Sequence, residues 1–234
     1  MFPEDEKEES ADSKGKGHRE RLRHRLLHSG GEALLDHEVI EYLLMLTIPR
    51  RDTKPLAKRL IREFGSLAAL LTTDGLSLKK ADGIGSASTG ALKIVHTAGL
   101  RLLSEPLREQ PILSSWQALL DYLRADMAHL VNERVRILHL DSKNRLIRDE
   151  LASEGSIDQA AIYTREVIKR ALELGSAAVI LVHNHPSGDS TPSRQDIAVT
   201  RDILEAGKYL GIAVHDHIII GKNGHTSFRS KGLI

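Results

Sequence analysis

The chain has 234 residues, a formal net charge of +1, 41% apolar residues and no cysteine. That length can bury the core of one large domain or two small ones, and the balanced charge singles out no polyanionic partner. The lack of cysteine excludes a disulfide framework and a thiolate metal site, so any bound metal must rely on His, Asp and Glu.

No apolar run reaches the length of a membrane span, and the opening Met1–Ser10 is acidic and polar, unlike a signal peptide. A soluble, cytoplasmic protein with no membrane partner is expected. Residues 1–17, rich in Glu, Asp, Lys, Ser and Gly, cannot offset their ordering entropy by apolar burial and read as a disordered tail. From His18 to His28 a basic helical stretch sets Arg19, Arg21, Arg23 and Arg25 among Leu22, Leu26 and Leu27, and it stops at Gly30-Gly31. Its narrow apolar face must pack on something.

Residues 32–46 carry apolar side chains at helical spacing, Pro55 to Phe64 form a second helix, and Leu67 to Leu71 start a third. The turn Gly83-Ile84-Gly85 then leads into a helix from about Ala87 to Leu103. Two helices joined by such a turn suit a helix-hairpin-helix: the glycines let the backbone approach a phosphate, N–H groups at the next helix start bind its oxygens, and Ile84 plugs the hairpin. The basic side chains Arg50, Arg51, Lys54, Lys58, Arg59 and Arg62, set against Asp52 and Glu63, suit the same partner. They equally suit a solvated helix face. With 3% aromatic residues, stacking on single strands has little support.

Pro106 and Pro111 mark a boundary within 104–113, giving a helical domain at 18–104 and a second domain at 112–234. The second domain opens with a helix from Ser115 to about Leu130, then a strand at Val135–Leu140 turned by Asp141-Ser142-Lys143-Asn144. Leu146 and Ile147 continue a hairpin, Gly155-Ser156-Ile157 starts a further strand, and residues 162–174 form a helix. After the helix at 193–210, Val214 and Ile218–Ile220 supply the last strands, with Gly221–Gly224 as a hairpin turn.

Between those two helices lies the stretch that carries chemistry. The unbroken apolar run 177–182 has the length and branching of a buried strand. His183 and His185 follow, and on extended chain residues two apart share a face, whereas on a helix they would diverge by about 200°. Pro186-Ser187-Gly188-Asp189 breaks the strand, and Ser193 with Asp196 forms a helix N-cap pattern. Two imidazoles and one carboxylate suit a divalent zinc ion with its fourth tetrahedral position open, which is the layout of a catalytic site.

The pattern His183-x-His185, then Ser193 and Asp196, resembles the signature of the JAB1/MPN (JAMM) metallopeptidase domain. The wording His-Asn-His-Pro-Ser-Gly is similar to its bacterial RadC branch, the UPF0758 family. Pro49-Arg50-Arg51-Asp52-Thr53-Lys54-Pro55 and Phe64-Gly65-Ser66-Leu67 resemble the helical N-terminal domain of the same branch. The resemblance implies an α+β multidomain protein: an all-α helix-hairpin-helix domain, then an α/β JAMM domain with a mixed sheet flanked by helices.

It also implies roles. His183, His185 and Asp196 would hold zinc, one ion per chain, and Ser193 would donate to an oxyanion, although as a plain helix cap it needs no such role. A proton carrier is still required. Spacing leaves Glu133, Glu150, Glu154, Glu166 and Glu173 open. The resemblance selects Glu133, just after the first helix of the domain and at the start of its first strand, with Glu166 as runner-up. In a second His-x-His, His215-Asp216-His217, Asp216 and His217 match the family's Asp-His-x-Ile and would support rather than bind the metal, while His215 is expected to be exposed. The chain departs from the family at Tyr163-Thr164, where His-Pro is usual, and at Gly155-Ser156, where Gly-Thr is usual. These put substrate preference in question, not the metal site.

Two functions follow as expectations. One is a metallohydrolase cleaving a peptide or isopeptide bond of an unknown peptide or protein substrate. The other is a non-enzymatic protein of DNA repair with a vestigial or structural metal site, touching duplex or branched DNA through Arg50, Arg51, Gly83 and Gly85.

Overall fold

The computed structural model describes residues 11–155 and 162–234. Two compact units divide between His96 and Thr97. The division falls inside a long helix, α6 (Ser86–Glu109), that runs through Pro106. Pro106 does not break the helix, because a helix can lose one N–H near its end, and the chain leaves it only after Glu109, ahead of Pro111.

The first unit is helical. Of the segment expected to be a disordered tail, residues 1–10 lie outside the described residues, and 11–17 begin helix α1 (Ala11–Ser29). Once the 18–29 segment is helical, each further residue adds one hydrogen bond at little cost, so the helix extends into polar sequence. Leu22 is its buried anchor. The rest of its attachment is polar. Arg25 forks onto Glu38 at 2.7 and 2.9 Å, His18 meets Glu41 at 2.6 Å, and Arg19 donates to the Arg51 carbonyl at 2.7 Å.

Helices α2 (Asp36–Thr47), α3 (Lys54–Phe64), α4 (Leu67–Thr72) and α5 (Gly75–Lys80) follow. They enclose a core of Ile40, Leu44, Leu56, Leu60, Leu70, Leu78, Ile84 and Leu92. Sequence periodicity passed over α5, which is too short to show a stripe; its mark is Asp74, whose carboxylate accepts the Leu76 and Ser77 N–H groups at 2.9 Å. The pair α5 and α6 is joined by the glycine turn, and Ile84 is buried between them as expected. Only one glycine is conformationally required. Gly83 has φ +78° and a Cβ there would lie 3.4 Å from Leu56, whereas a Cβ on Gly85 would meet open space.

The second unit is built on a five-stranded sheet in the order β2-β1-β3-β4-β5. The strands are β1 (Glu133–Leu140), β2 (Leu146–Gly155), β3 (Ala178–Asn184), β4 (Ala213–Gly221) and β5 (Gly224–Ser227). Strands β3 and β4 are parallel and the other pairs antiparallel, so the sheet is mixed. Leu138, Leu140, Ile180, Val182, Ile218 and Ile220 pack on one face with helix α7 (Trp116–Met127). Val135, Ile137, Val179 and Leu181 pack on the other with α8 (Thr164–Glu173) and α9 (Arg194–Tyr209).

Strand β2 runs unbroken where two separate pieces were expected; Ser156 and Ile157 lie outside the described residues. Arg148-Asp149-Glu150 shows no apolar alternation, because β2 is an edge strand in which every side chain is exposed or only partly buried. Its register is held by an ionic knot. Arg136 on β1 reaches Asp149 at 2.7 Å and Asp126 of α7 at 2.6 Å, and Tyr122 donates to Asp149 at 2.7 Å.

Candidate metal centre

The strand parity read from the sequence holds. β3 is buried along its whole length and delivers His183 to the face covered by α9. The chain then turns through Gly188 (φ +88°), and this loop lies so close to β4 that a Cβ on Gly221 would come within 2.5 Å of the Gly188 carbonyl oxygen. Glycine at 221 is what permits that approach, and the approach holds Asp189 O at 2.7 Å from His185 Nδ1. Ser193 caps α9: its hydroxyl accepts the Asp196 N–H at 3.1 Å, and its own N–H donates to Asp196 Oδ2 at 2.7 Å. The cap thereby aims Asp196 at the two histidines.

Three ligand atoms converge. His183 Nε2 and His185 Nε2 are 3.0 Å apart, Asp196 Oδ1 is 3.4 Å from the first, and Oδ2 is 3.7 Å from the second. A tetrahedral centre with bonds of about 2.0–2.1 Å has edges of about 3.3–3.4 Å, so the separations suit one ion. His183 is fully buried, while His185 and Asp196 keep 20% and 14% side-chain exposure, so the centre opens to solvent on one side.

The proton positions follow from the partners. Asp189 O can only accept, so His185 carries its proton on Nδ1 and turns a lone pair inward. Behind His183 runs a buried relay: Thr200 on α9 donates its hydroxyl to the Asp196 carbonyl, and His217 Nδ1 lies 2.6 Å from that hydroxyl. Thr200 has spent its proton, so His217 donates from Nδ1 and offers its Nε2 lone pair, 2.7 Å from His183 Nδ1. His183 therefore donates backward and also turns a lone pair inward. Two bare imidazole nitrogens and a carboxylate face one another with no proton between them, an arrangement that a cation satisfies.

The electrostatics agree. Burial lowers His183 to about 4 and holds His217 well below its ordinary value, so both are neutral. Asp196 lies far below the usual carboxylate range: burial opposes this, but the neighbouring His185 and His183 and the Ser193 bonds prevail. His185 is raised, chiefly by the Asp196 carboxylate 3.7 Å away, so a proton there is the metal's competitor.

Val135 pairs with His183 across β1 and β3, so the same register carried two residues further sets Glu133 across from His185. Its charge contributes to raising His185. Glu150 pairs with Arg170 at 2.7 Å, Glu154 with Arg134 at 2.9 Å, Glu166 with Arg165 at 3.3 Å and Glu173 with Arg170 at 2.9 Å. His215 is half-buried rather than exposed, because its Nε2 meets Asn144 Oδ1 at 2.6 Å. Asp216 stands outside the ligand group; it accepts the His217 and Arg229 N–H groups at 2.8 and 3.0 Å. Sequence reasoning missed Thr200, whose signal was its place one helical turn after Asp196 on the same face.

Residues 113–233 match the family model described as RadC-like JAB domain. A "UPF0758 protein" of Rhodobacter capsulatus is 49% identical over 213 residues, covering 91% of this chain and 100% of the relative. The chain belongs to the RadC/UPF0758 family. As expected from the sequence, the RadC-like domain follows a helical N-terminal region and carries a His183, His185 and Asp196 group that could hold a metal ion. Among the described residues, no helix is long and apolar enough to cross a membrane.

Proposed function

We propose that this RadC-family chain is a zinc-dependent hydrolase of JAMM type that cleaves a peptide or isopeptide amide with water. The observation that carries the reading is the inward convergence of two unprotonated imidazole nitrogens and the Asp196 carboxylate on a solvent-open side. Zinc bound there would lower the pKa of a water to about 7 and polarise a substrate carbonyl. Glu133, at the mouth of the site across from His185, takes the proton from the attacking water and passes it to the leaving amine. Ser193 already accepts the Asp196 N–H through a lone pair, so its hydroxyl proton can turn to the oxygen that gains charge. The test is a screen of the zinc-loaded protein against quenched peptide and isopeptide libraries beside Glu133→Gln. Turnover that disappears in the variant while its zinc content is unchanged supports the reading; equal turnover in both moves the base elsewhere.

A second reading concerns the helical unit and has its own observation. A cavity of 370 Å³ is lined by Arg51, Asp52, Pro55, Leu56, Arg59 and Arg62. Arg59 is fixed over the Gly83 turn by its ion pair with Asp82 at 3.1 Å. Arg50, in the left-handed region at φ 61°, holds the adjacent turn in a conformation most side chains avoid. We propose that this face binds phosphates of duplex or branched DNA, with Arg50 and Arg51 beside the Gly83 and Gly85 turn. Arg51→Ala with Arg62→Ala should then weaken duplex binding and flatten its salt dependence by about one unit of slope for each phosphate that is no longer neutralised. Unchanged affinity and slope would refute it.

A further inference from the structure

We infer that Asn184, the residue between the two histidine ligands, is the positioning residue for Glu133. The inference rests on the proposed role of Glu133 as proton carrier and adds what holds that carboxylate in place. Successive strand residues alternate faces, so Asn184 points away from the metal group and cannot be a ligand. It is nonetheless almost wholly buried, at 1% exposure. Its carboxamide bonds to the peptide groups on both sides of residue 133: Oδ1 accepts the Arg134 N–H at 2.9 Å, and Nδ2 donates to the Asn132 carbonyl at 3.1 Å. The amide orientation is forced, since an N–H needs an acceptor and a carbonyl a donor.

The geometry explains why a clamp is needed there. Glu133 is the first residue of β1, and the β1–β3 ladder is closing because β3 ends at Asn184 and the chain turns into Pro186. On this side the strand end has lost its backbone partner, although on its other side Glu133 still pairs with Gly155 of β2. The Asn184 side chain supplies the donor and acceptor that its departing backbone no longer offers, so pairing continues past the last residue of β3. Few side chains can do this. Aspartate lacks the donor, leucine has neither group, serine is too short and glutamine is a methylene too long. One residue thus links the ligand strand to the base strand: the backbone of β3 places His183 and His185, and the side chain between them places Glu133.

The test uses the full chain loaded with cobalt and acetohydroxamic acid as probe, read by the visible spectrum; the probe gives its proton to the same carboxylate that would take one from water. Glu133→Gln should weaken the probe roughly tenfold or more by removing a charged acceptor. Asn184→Leu should weaken it by roughly fivefold to tenfold with cobalt stoichiometry unchanged, and should add nothing in the Glu133→Gln background. In the same variant the Arg134 amide should lose protection from hydrogen exchange, a readout that needs no metal. Asn184→Ser, also too short to bridge, takes the place of the leucine variant if that variant fails to fold.

Equal weakening in both backgrounds, or none in either, would overturn the inference while leaving the hydrolase reading intact. A wild type that takes up no cobalt would overturn the hydrolase reading and this inference with it. Retained probe affinity together with an unprotected Arg134 amide would overturn it too, showing that the clamp exists but does not act on Glu133.

Discussion

Under the proposed function the relay behind His183 sets the grip of the centre on zinc, and replacing His217 tests that claim. In His217→Leu the His183 Nδ1–H, 2.7 Å from His217 Nε2 in the wild type and fully buried, loses that acceptor. Leaving a buried N–H unpaired costs about 1–3 kcal/mol, and it also removes what fixes the His183 tautomer. Leucine keeps an apolar neighbour for Phe228, whose ring centroid lies 4.5 Å from that of His217, so the core should stay filled. The expected loss in zinc affinity is about 10–100-fold, in the range seen when groups that orient a ligand are removed. Thr200→Val breaks the same chain one link further on and should lose roughly tenfold, with the double variant falling short of the sum because one relay is cut twice. The assay is competition against a chromophoric chelator, with thermal unfolding of the metal-free proteins as the control for folding. Wild-type affinity in both folded variants would refute the tautomer argument and leave the relay as packing alone.

Other consequences can be checked alongside. His185 is raised in the metal-free protein by the nearby Asp196 carboxylate, so a proton there stabilises the fold below the ordinary histidine range and that stabilisation is lost as pH rises through the raised value. Zinc must displace this proton: calorimetry in buffers of different ionisation enthalpy should show about one proton released at about pH 6, and no release there would contradict the assignment. Glu38 is lowered to about 2 by its bond to Arg25. The stability it lends is present above its unfolded pKa of about 4.5 and is lost as pH falls toward about 2. Glu38→Gln should flatten the acid unfolding curve of the helical unit over that window, and an unaltered curve would show that the pair contributes nothing. Arg136→Ala leaves Asp126 and Asp149 buried without their cation, so unfolding should become about 3–5 kcal/mol easier; a loss below about 1 kcal/mol in denaturant titration would mean that water enters the knot.

How much of this was legible before the structure depended on whether the information was local. His183, His185, Ser193 and Asp196 lie within one strand, turn and helix start, and strand parity plus a capping box bring them together without reference to the rest of the chain. Helix α5 was also local, yet hidden, because six residues show no periodicity and only the Asp74 cap marks it. Strand β2 was obscured for a physical reason: as an edge strand it has no fully buried side chain, so it lacks the alternation that reveals inner strands. Thr200 and Asn184 were beyond reach in another way, and His217 was marked as a supporting residue only by family resemblance. Their roles depend on the parallel register of β3 with β4, on the placement of α9 over it and on the point where β3 leaves β1, none of which a linear pattern specifies. Glu133 stands between these cases. Its place at the start of β1 came from family resemblance, and only the strand register explains why that place faces His185.

The most direct measurement is the metal content of the protein purified without chelator or nickel affinity, beside Asp196→Ala. About one zinc per chain in the wild type, absent from a folded variant, is the predicted result. A folded wild type that carries no zinc and takes up none when it is added would contradict the account at its centre.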